Sequence, residues 1–500
     1  MRLAFCITPF LLAQLALAAD APFKAGFAER DISPKIGMEQ PGGYGKAYHR
    51  SFHDPCKVRA CVFDDGKKRV AIVGLDALGL RRPSVLTARR EIEKQCGIPG
   101  DCVLISASHS HSSGPTGMIL PGEYAHASPL VQRLAYEQSS CADAAYLAHV
   151  ERQIVEAVAD ADRRRVEARC GAGVGHEDKV AFNRRFRMRS GLTQTHPRQG
   201  NPDILEVAGP IDPDVGVIGA WDAKGKLLGC VVNYACHATT SPGGSSANYI
   251  YYLEKAVRGM MGQDAIVVFL PGASGDVTQV DNLSPYVQRS GEASAELVGG
   301  RIGAEAVKTL LLMDRGALAP VDAKAKVWNI RRRPPRPQRV KRALEIVELG
   351  SGKADATELT FAKETLLLDA LLQKEPQVEV EVQAVQVGPV VLVTDPAEYF
   401  CQFGLDIKAG SKFPITLPVS LANGAVGYVP TEEALGPRGG GYETRLTSYS
   451  NLEITAGRQM ADTGIALANE LKPGTVPTPP PAPPYKANAW GYGAVPPEVD

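Results

Sequence analysis

The pattern of apolar and polar positions along the chain predicts strands that alternate with helices. Two apolar runs, at residues 58–63 and 70–75, flank Asp64-Asp65-Gly66, which is a strong signal for the turn of a β-hairpin. A second hairpin is predicted for residues 215–221 and 227–234. Further buried strands are predicted at residues 25–34, 103–107, 265–270, 378–386 and 390–394.

Helical periodicity lies between these runs. It predicts helices at residues 82–95, 142–165, 293–313 and about 340–373. In the second of these, Leu147, Val150, Ile154 and Val158 recur along one stripe, as expected for a helix that packs on a sheet. Because strands and helices are interleaved and several strands form hairpins, the sequence predicts an α/β fold with mixed sheets in layers.

The two ends of the chain are predicted to lie outside this fold. Residues 1–19 combine a positive start, an apolar stretch and small residues at the end, which is typical of a secretory signal peptide. We therefore expect a secreted or periplasmic protein. The apolar stretch is shorter than the ~20 residues of a spanning helix, so no transmembrane segment is predicted. Residues 475–500 are predicted to be a proline-rich linker and tail, which leaves 23–472 as the folded domain.

Composition and charge indicate a globular protein and argue against some classes of function. Hydrophobic residues make up 44% and charged residues 22% of the 500 residues, as in an ordinary globular protein. Lysine plus arginine and aspartate plus glutamate both number 55, which argues against a broad basic surface for nucleic acid. No Cys-x-x-Cys pair is present, which argues against a cysteine-built zinc site. Cys230 and Cys236 lie in an apolar run and are predicted to be buried.

Candidate chemistry begins with His109 and His111, which follow the predicted strand at residues 103–107. Strand ends in α/β folds are where ligands bind, and in an extended chain residues two apart face the same side. Both imidazoles could then reach one metal site. A polar, hydrogen-bonded loop is the alternative that this segment leaves open.

Two further candidate ligands follow strand ends. His237 comes after the strand at residues 227–234, and Glu398 comes after the strand at residues 390–394. Zinc accepts two imidazoles and a carboxylate and, in catalytic sites, keeps one coordination position open. For Glu398 the alternative is a solvated carboxylate at the start of a helix. The glycine-rich segment 271–278 contains neither a Walker A lysine nor the nucleophile elbow of serine hydrolases.

Over residues 23–472 the chain resembles the neutral/alkaline, non-lysosomal ceramidase family. The motifs that carry this resemblance, in family order, are AGFAERDISP (25–34), VRACVF (58–63), ISASHSHSSGPTG (105–117), FNRR (182–185), VVNYACHATTS (231–241), GDVT (275–278), DPAEYF (395–400) and NGAVGYVPTEEA (423–434). The resemblance implies a ceramidase-like α/β catalytic domain and one zinc ion. Its implied ligands are His109, His237, Glu398 and Tyr428.

The same resemblance implies roles for other residues. His111 would face the substrate and handle protons, Arg184 would lie near the carboxylate of the product, and Tyr428 would also stabilise the oxyanion. Thr278 stands where the family has a catalytic serine. Residues 246–249, Ser-Ala-Asn-Tyr, lack the aspartate and glycine of the family pattern. The family's C-terminal immunoglobulin-like domain is not expected here, because a proline-rich tail follows the catalytic domain.

The sequence therefore predicts a zinc-dependent amidohydrolase of the EC 3.5.1 type that cleaves a linear N-acyl bond. Its partner would be an acylated small molecule or a lipid, and the resemblance points to sphingolipid metabolism. The alternatives are a hydrolase of another ester or acylated sugar, and a secreted binding protein with the same fold and an inactive site. Because aromatic residues make up only 6% of the chain and no amphipathic anchor helix stands out, we expect a substrate smaller or more polar than ceramide.

Overall fold

The protein is described by a computed structural model over residues 22–350, 352–485 and 495–499. The leader predicted at residues 1–19 lies outside the described residues, and export stays a prediction. The helices are α1 Arg82–Cys96, α2 Pro129–Tyr136, α3 Ala144–Arg163, α4 Tyr249–Met261, α5 Gly291–Leu312, α6 Pro337–Leu349, α7 Ala356–Lys374, α8 Cys401–Gly410 and α9 Ala456–Glu470. The strands are β1 Lys24–Asp31, β2 Lys57–Asp64, β3 Arg69–Leu75, β4 Val103–Ala107, β5 Val166–His176, β6 Phe182–Asn183, β7 Arg185–Met188, β8 Thr193–Thr195, β9 Ile204–Val207, β10 Asp214–Asp222, β11 Leu227–Tyr234, β12 Ile266–Pro271, β13 Val277–Thr278, β14 Val321–Arg331, β15 Gln377–Val387, β16 Val390–Thr394, β17 Glu398–Tyr399, β18 Ile415–Val419 and β19 Tyr428–Val429.

The predicted mixed α/β architecture is confirmed. Both predicted hairpins, β2–β3 and β10–β11, pair antiparallel, and the apolar stripe of α3 is buried. The helical stretch predicted at 340–373 is instead two helices, because the chain leaves α6 at Gly350, which takes a φ of 74°. Helices α2, α4, α8 and α9 were not predicted.

The main sheet has eight strands in the order β12-β11-β10-β5-β1-β2-β3-β4. It consists of two halves that are joined by only two residue pairs between β1 and β5. The halves fold over one another: a Cβ on Gly74 of β3 would lie 2.3 Å from the carbonyl oxygen of Phe269 in β12. Each half contains one parallel pair, β3–β4 and β11–β12, at opposite ends of the strand order. This folding-over brings the ends of β4 and β11 together.

Helices and a second sheet cover this core. Helices α1 and α3 pack on the half that contains β1 and β2, whereas α4 and α5 cover β10 to β12. A four-stranded sheet, β14-β15-β16-β18, shares the largest apolar core with the main sheet and is covered by α8 and α9. Helices α2, α6 and α7 form a separate apolar cluster, the helical cap, beside the loop at residues 118–127.

The cysteines after the leader are all free thiols in the described part of the chain. Cys230 and Cys236 are buried, as predicted, and burial raises the pKa of each thiol to about 12. Among the described residues, no helix combines the length and the apolar character needed to cross a bilayer.

The proline-rich segment after Gly474 forms no helix or strand over residues 475–485. The last backbone hydrogen bond to the sheets is the one from Gly474 N to Gly388 O, at 3.0 Å. We expect a chain that ends at Gly474 to keep its melting temperature within about 2 °C, since exposed polyproline buries little apolar surface. Calorimetry on the full-length and shortened proteins tests this expectation. A much larger drop would mean that the tail, through Pro477 beside Gly316, packs on the domain.

Candidate metal centre

The folded-over sheet gathers four of the predicted side chains in one place. His109 and His111 lie in the loop after β4, and His237 lies just after β11. The two loops contact each other, because His111 N donates a hydrogen bond of 3.2 Å to Ala238 O. Glu398 lies on β17, which pairs in parallel with β19 so that Glu398 stands directly opposite Tyr428. Four separate segments of the chain therefore contribute to one buried site.

The orientations of two imidazoles are fixed by backbone carbonyls. His109 Nδ1 lies 2.7 Å from Leu78 O, and His237 Nδ1 lies 2.6 Å from Ser274 O. A carbonyl oxygen only accepts, so in each ring Nδ1 carries the hydrogen and Nε2 presents a lone pair. Burial, followed by the positive charge of Arg184, lowers the pKa of His237 to about 4, so this ring is neutral.

Both lone pairs point at one carboxylate oxygen. Glu398 Oε2 lies 3.0 Å from His109 Nε2 and 2.9 Å from His237 Nε2. Neutral imidazole nitrogens and a carboxylate repel one another at such distances unless a positive charge lies between them. Two imidazoles and a carboxylate are a donor set that suits zinc.

His111 completes a cluster of three imidazoles that could bind a metal. One ligand nitrogen from each of His109, His111 and His237 lies within 4.8 Å of the others. His111 Nε2 is 3.3 Å from His109 Nε2, and burial, followed by the two neighbouring histidines, lowers its pKa well below the usual value. Gly42 packs on the ring: it has a φ of 111°, and a Cβ there would lie 2.3 Å from His111 Nδ1.

The geometry of the His-x-His segment differs from the extended chain that we expected. His109 has a φ of 62°, in the left-handed region that histidine adopts more readily than most residues. The chain therefore turns at His109, and the two rings meet edge to face with their centroids 4.8 Å apart. The two imidazoles do lie together, but a turn at His109 brings them there and not an extended chain.

Glu398 is buried on a strand, so the alternative of a solvated helix-start carboxylate is wrong. Its strand partner, Tyr428, lies with its hydroxyl 3.4 Å from His237 Nε2. Arg184 is also buried and donates a 3.1 Å hydrogen bond from Nη2 to this hydroxyl. Arg184 is held in turn by Glu443 Oε1, at 2.9 Å. The structure thus brings Tyr428 and Arg184 together beside the histidines.

Thr278 lies near this group but faces elsewhere. Its neighbour Val277 accepts a backbone hydrogen bond from His237 N, whereas the Thr278 hydroxyl donates to Gln279 Oε1 at 3.0 Å. Among the described residues it makes no hydrogen bond to the histidines, Glu398 or Tyr428. Asn248, in the segment that departs from the family pattern, caps α4, and its Oδ1 accepts a hydrogen bond from Tyr249 N.

Residues that the sequence did not indicate also line the site. A small cavity of about 60 Å³ reaches His109, Glu398 and Tyr428, and its remaining walls are Gly42, Gly43, Tyr44, Leu78, Met118, Tyr442 and Tyr449. Tyr442 Oη lies 2.9 Å from Tyr428 Oη. Burial and the Glu398 carboxylate raise the pKa of Tyr449 well above its usual value. Tyr442 begins a one-turn 3-10 helix and Tyr449 lies in a loop, and neither belongs to a periodic pattern, so only tertiary structure identifies them.

This small cavity lies beside a much larger one. The larger cavity has a volume of about 580 Å³ and shares Tyr44, Met118 and Tyr449 with it. It is bounded by the loop at residues 118–124 and by α7 of the helical cap. A substrate of moderate size could therefore place one part beside the histidines and another part in the larger cavity.

No protein-family model matches the chain, and no curated protein matches its sequence. Solved structures do match. The neutral ceramidase from Pseudomonas aeruginosa superposes with a TM-score of 0.66 at 19% identity, over 92% of this chain and 77% of that chain. A structure described as a ceramidase complexed with C2 gives 0.65 at 18% identity, over 93% and 78%. This chain has the ceramidase fold. The resemblance inferred from the motifs is thus confirmed at the level of the fold.

Proposed function

We propose that this protein is a zinc-dependent hydrolase that cleaves a linear N-acyl bond. The observation that carries the proposal is the pair of Nε2 atoms, on His109 and His237, that face one oxygen of the buried Glu398 carboxylate. The motifs that resemble ceramidases, and the likeness of the fold to two solved ceramidases, favour an amide as the bond that is cleaved.

In this proposal His109, His237, Glu398 and Tyr428 hold the ion. Zinc bound there would supply a Lewis acid for the scissile carbonyl and would lower the pKa of a water molecule towards about 7. The backbone carbonyls of Leu78 and Ser274 keep the two rings in the tautomer that binds metal.

The remaining residues bind and move protons. His111 Nε2, 3.3 Å from His109 Nε2, takes a proton from water and returns it to the leaving amine. Tyr428 donates a hydrogen bond to the developing oxyanion, and Arg184 fixes its hydroxyl and attracts the carboxylate of the product. Thr278, with its hydroxyl turned to Gln279, has the weakest support and is assigned a positioning role only.

A substrate panel tests the reaction and the substrate together. We expect short, water-soluble N-acyl compounds to be turned over with a kcat/KM about tenfold or more above that of a long-chain ceramide, because two alkyl chains would desolvate charged walls in the larger cavity. The measurement is kcat/KM for N-acyl and O-acyl compounds and a fluorescent ceramide at fixed detergent, with zinc content determined on the same samples.

The other outcomes separate the alternatives. Preference for O-acyl compounds would indicate an esterase or a deacylase of acylated sugars. Zinc binding without any turnover would indicate a binding protein with an inactive site. Efficient ceramide turnover that chelation abolishes would contradict the expected polarity of the substrate and leave the zinc chemistry in place.

A further inference from the structure

The cavity of about 580 Å³ has unusually charged walls for a pocket that would hold alkyl chains. The charged residues that line it are Arg81, Arg82, Arg332, Lys374, Glu123, Glu364, Glu375, Glu379 and Glu381. Buried charges are costly unless they are paired, so the partners of each group decide what the cavity can bind.

Two of the carboxylates form ion pairs with arginine. Glu123 accepts from Arg81 Nη2 at 2.8 Å and from the backbone N of Leu120 at 2.9 Å. Glu381 accepts from Arg89 at 2.8 and 2.9 Å and from Arg82 at 2.8 Å. Because these ion pairs leave few acceptor positions free, Glu123 and Glu381 stabilise the cavity wall and are poorly placed to bind a ligand.

Glu364, on α7, is the exception. It is 2% exposed, and its donors among the described residues both belong to Ser448: the hydroxyl, at 2.5 Å from Oε2, and the backbone N–H. The nearest cation, Lys363 Nζ, lies 3.9 Å from Oε1 and donates instead to the carbonyl oxygens of Tyr44 and Gln138. A carboxylate has about four acceptor positions, so about two of those on Glu364 lack a donor, and no cation lies within hydrogen-bonding distance of it among the described residues. Burial accordingly raises the pKa of this carboxyl.

A second polar group in the same cavity has no hydrogen-bond partner among the described residues. The hydroxyl of Ser140 is buried and makes no hydrogen bond within the described residues. Buried polar groups are nearly always satisfied in folded proteins, and an exception calls for an explanation, such as a functional role or a bound water or ion. Ser140 and Glu364 line one cavity that adjoins the site of the histidines and Glu398.

We propose that this cavity binds a hydrogen-bond-donating group of the substrate, an ammonium or a set of hydroxyls, through the carboxylate of Glu364. The inference rests on the proposed function and names its substrate class: an amide that bears a polar head group on one side, in place of a hydrocarbon chain. Ser448 positions the carboxylate, and Ser140 offers a further hydrogen bond. Glu364 thus determines specificity, whereas the chemistry takes place at His109, His237 and Glu398.

Binding is tested without turnover, so the result does not depend on catalysis. Dissociation constants of D-glucosamine, D-glucose and hexylamine are measured by NMR titration on wild-type protein, on Glu364→Gln and on Glu358→Gln. Glu358 is an exposed residue on the same helix and is absent from the cavity wall, so Glu358→Gln makes the same chemical change as a matched control. Glucose and hexylamine separate hydroxyls from ammonium, and hexanoate serves as the probe with opposite charge.

We expect at least one of the three donor-bearing probes to bind, and Glu364→Gln to weaken it about tenfold or more, as for a hydrogen bond to a charged group. Glu358→Gln should leave it unchanged. Glu364→Asp keeps the charge and should give an intermediate affinity; it replaces the glutamine variant if that variant has an altered melting temperature. Equal affinities in wild type and Glu364→Gln, no binding of any donor-bearing probe, or preference for hexanoate would overturn the proposal.

A kinetic measurement connects this cavity to the reaction. For an N-acyl substrate with a polar head group, Glu364→Gln should raise KM about tenfold with little change in kcat, and an alkyl amide should be unaffected. If the variant changes probe binding but no amide is hydrolysed by the wild type, the proposed function fails and the binding site stands.

Discussion

Replacing His109 and His237 together by alanine should leave the purified protein almost free of zinc and without measurable turnover. The wild type should contain about one equivalent of zinc per chain, as expected for a mononuclear site. The double variant removes two of the nitrogens that face Glu398 Oε2, and a carboxylate and a tyrosine alone are a poor zinc site. Elemental analysis by mass spectrometry, after dialysis against zinc-free buffer, gives the metal content.

A matched control variant shows whether zinc is lost because the site is removed or because any two histidines are replaced. His149 and His176 lie on α3 and at the end of β5, away from the cluster. A variant with alanine at both of these positions should keep its zinc and its turnover. Full zinc occupancy in the His109→Ala, His237→Ala protein would show that the metal, if any, binds elsewhere.

The second large effect concerns the other histidine of the His-x-His pair. His111→Ala should keep its zinc and lose about 10²–10⁴-fold in kcat, which is the usual contribution of a general acid–base residue. His109→Ala, two residues away in the same loop, should lose its zinc. The comparison of zinc content and kcat in these two single variants distinguishes a ligand from a proton carrier.

Loss of zinc in His111→Ala would indicate a different set of metal ligands. Because His109, His111 and His237 lie within 4.8 Å of one another, they also form a possible three-histidine ligand set. Loss of zinc in His111→Ala, together with retention of zinc in Glu398→Gln, would assign the metal to that set and contradict the ligands proposed here. Partial recovery of turnover in His111→Ala on addition of free imidazole would support the role in proton transfer.

The sequence predicted most of the sheet and the identity of the central side chains. Hairpins such as β2–β3 have local signals, namely two apolar runs and an Asp-Asp-Gly turn, so pattern alone identifies them. His109 and His237 were identified because each follows a strong buried strand, whereas Glu398 was assigned through the resemblance to the ceramidase family. Their convergence depends on the folding-over of the two halves of the sheet, which no local pattern encodes.

The sequence could not predict the walls of the two cavities. Tyr442 and Tyr449 lie in segments whose conformation is set by tertiary contacts. In the sequence, nothing distinguishes Glu364 from other glutamates on helices, because its burial depends on the packing of the helical cap. Helix α4 was also missed, because it follows a stretch of small polar residues that gives no helical signal. Its start depends on Asn248, which takes a φ of 66° and caps the helix with its side chain. Such features depend on contacts that are distant in sequence.

The most direct test of the central claim is a zinc titration of the metal-free protein, followed by its turnover of a soluble N-acyl substrate. Turnover should rise in proportion to the zinc added and reach a plateau at about one equivalent per chain, and Glu398→Gln should show no such rise. Turnover that is independent of zinc in the wild type, or an unchanged titration curve in Glu398→Gln, would contradict the account.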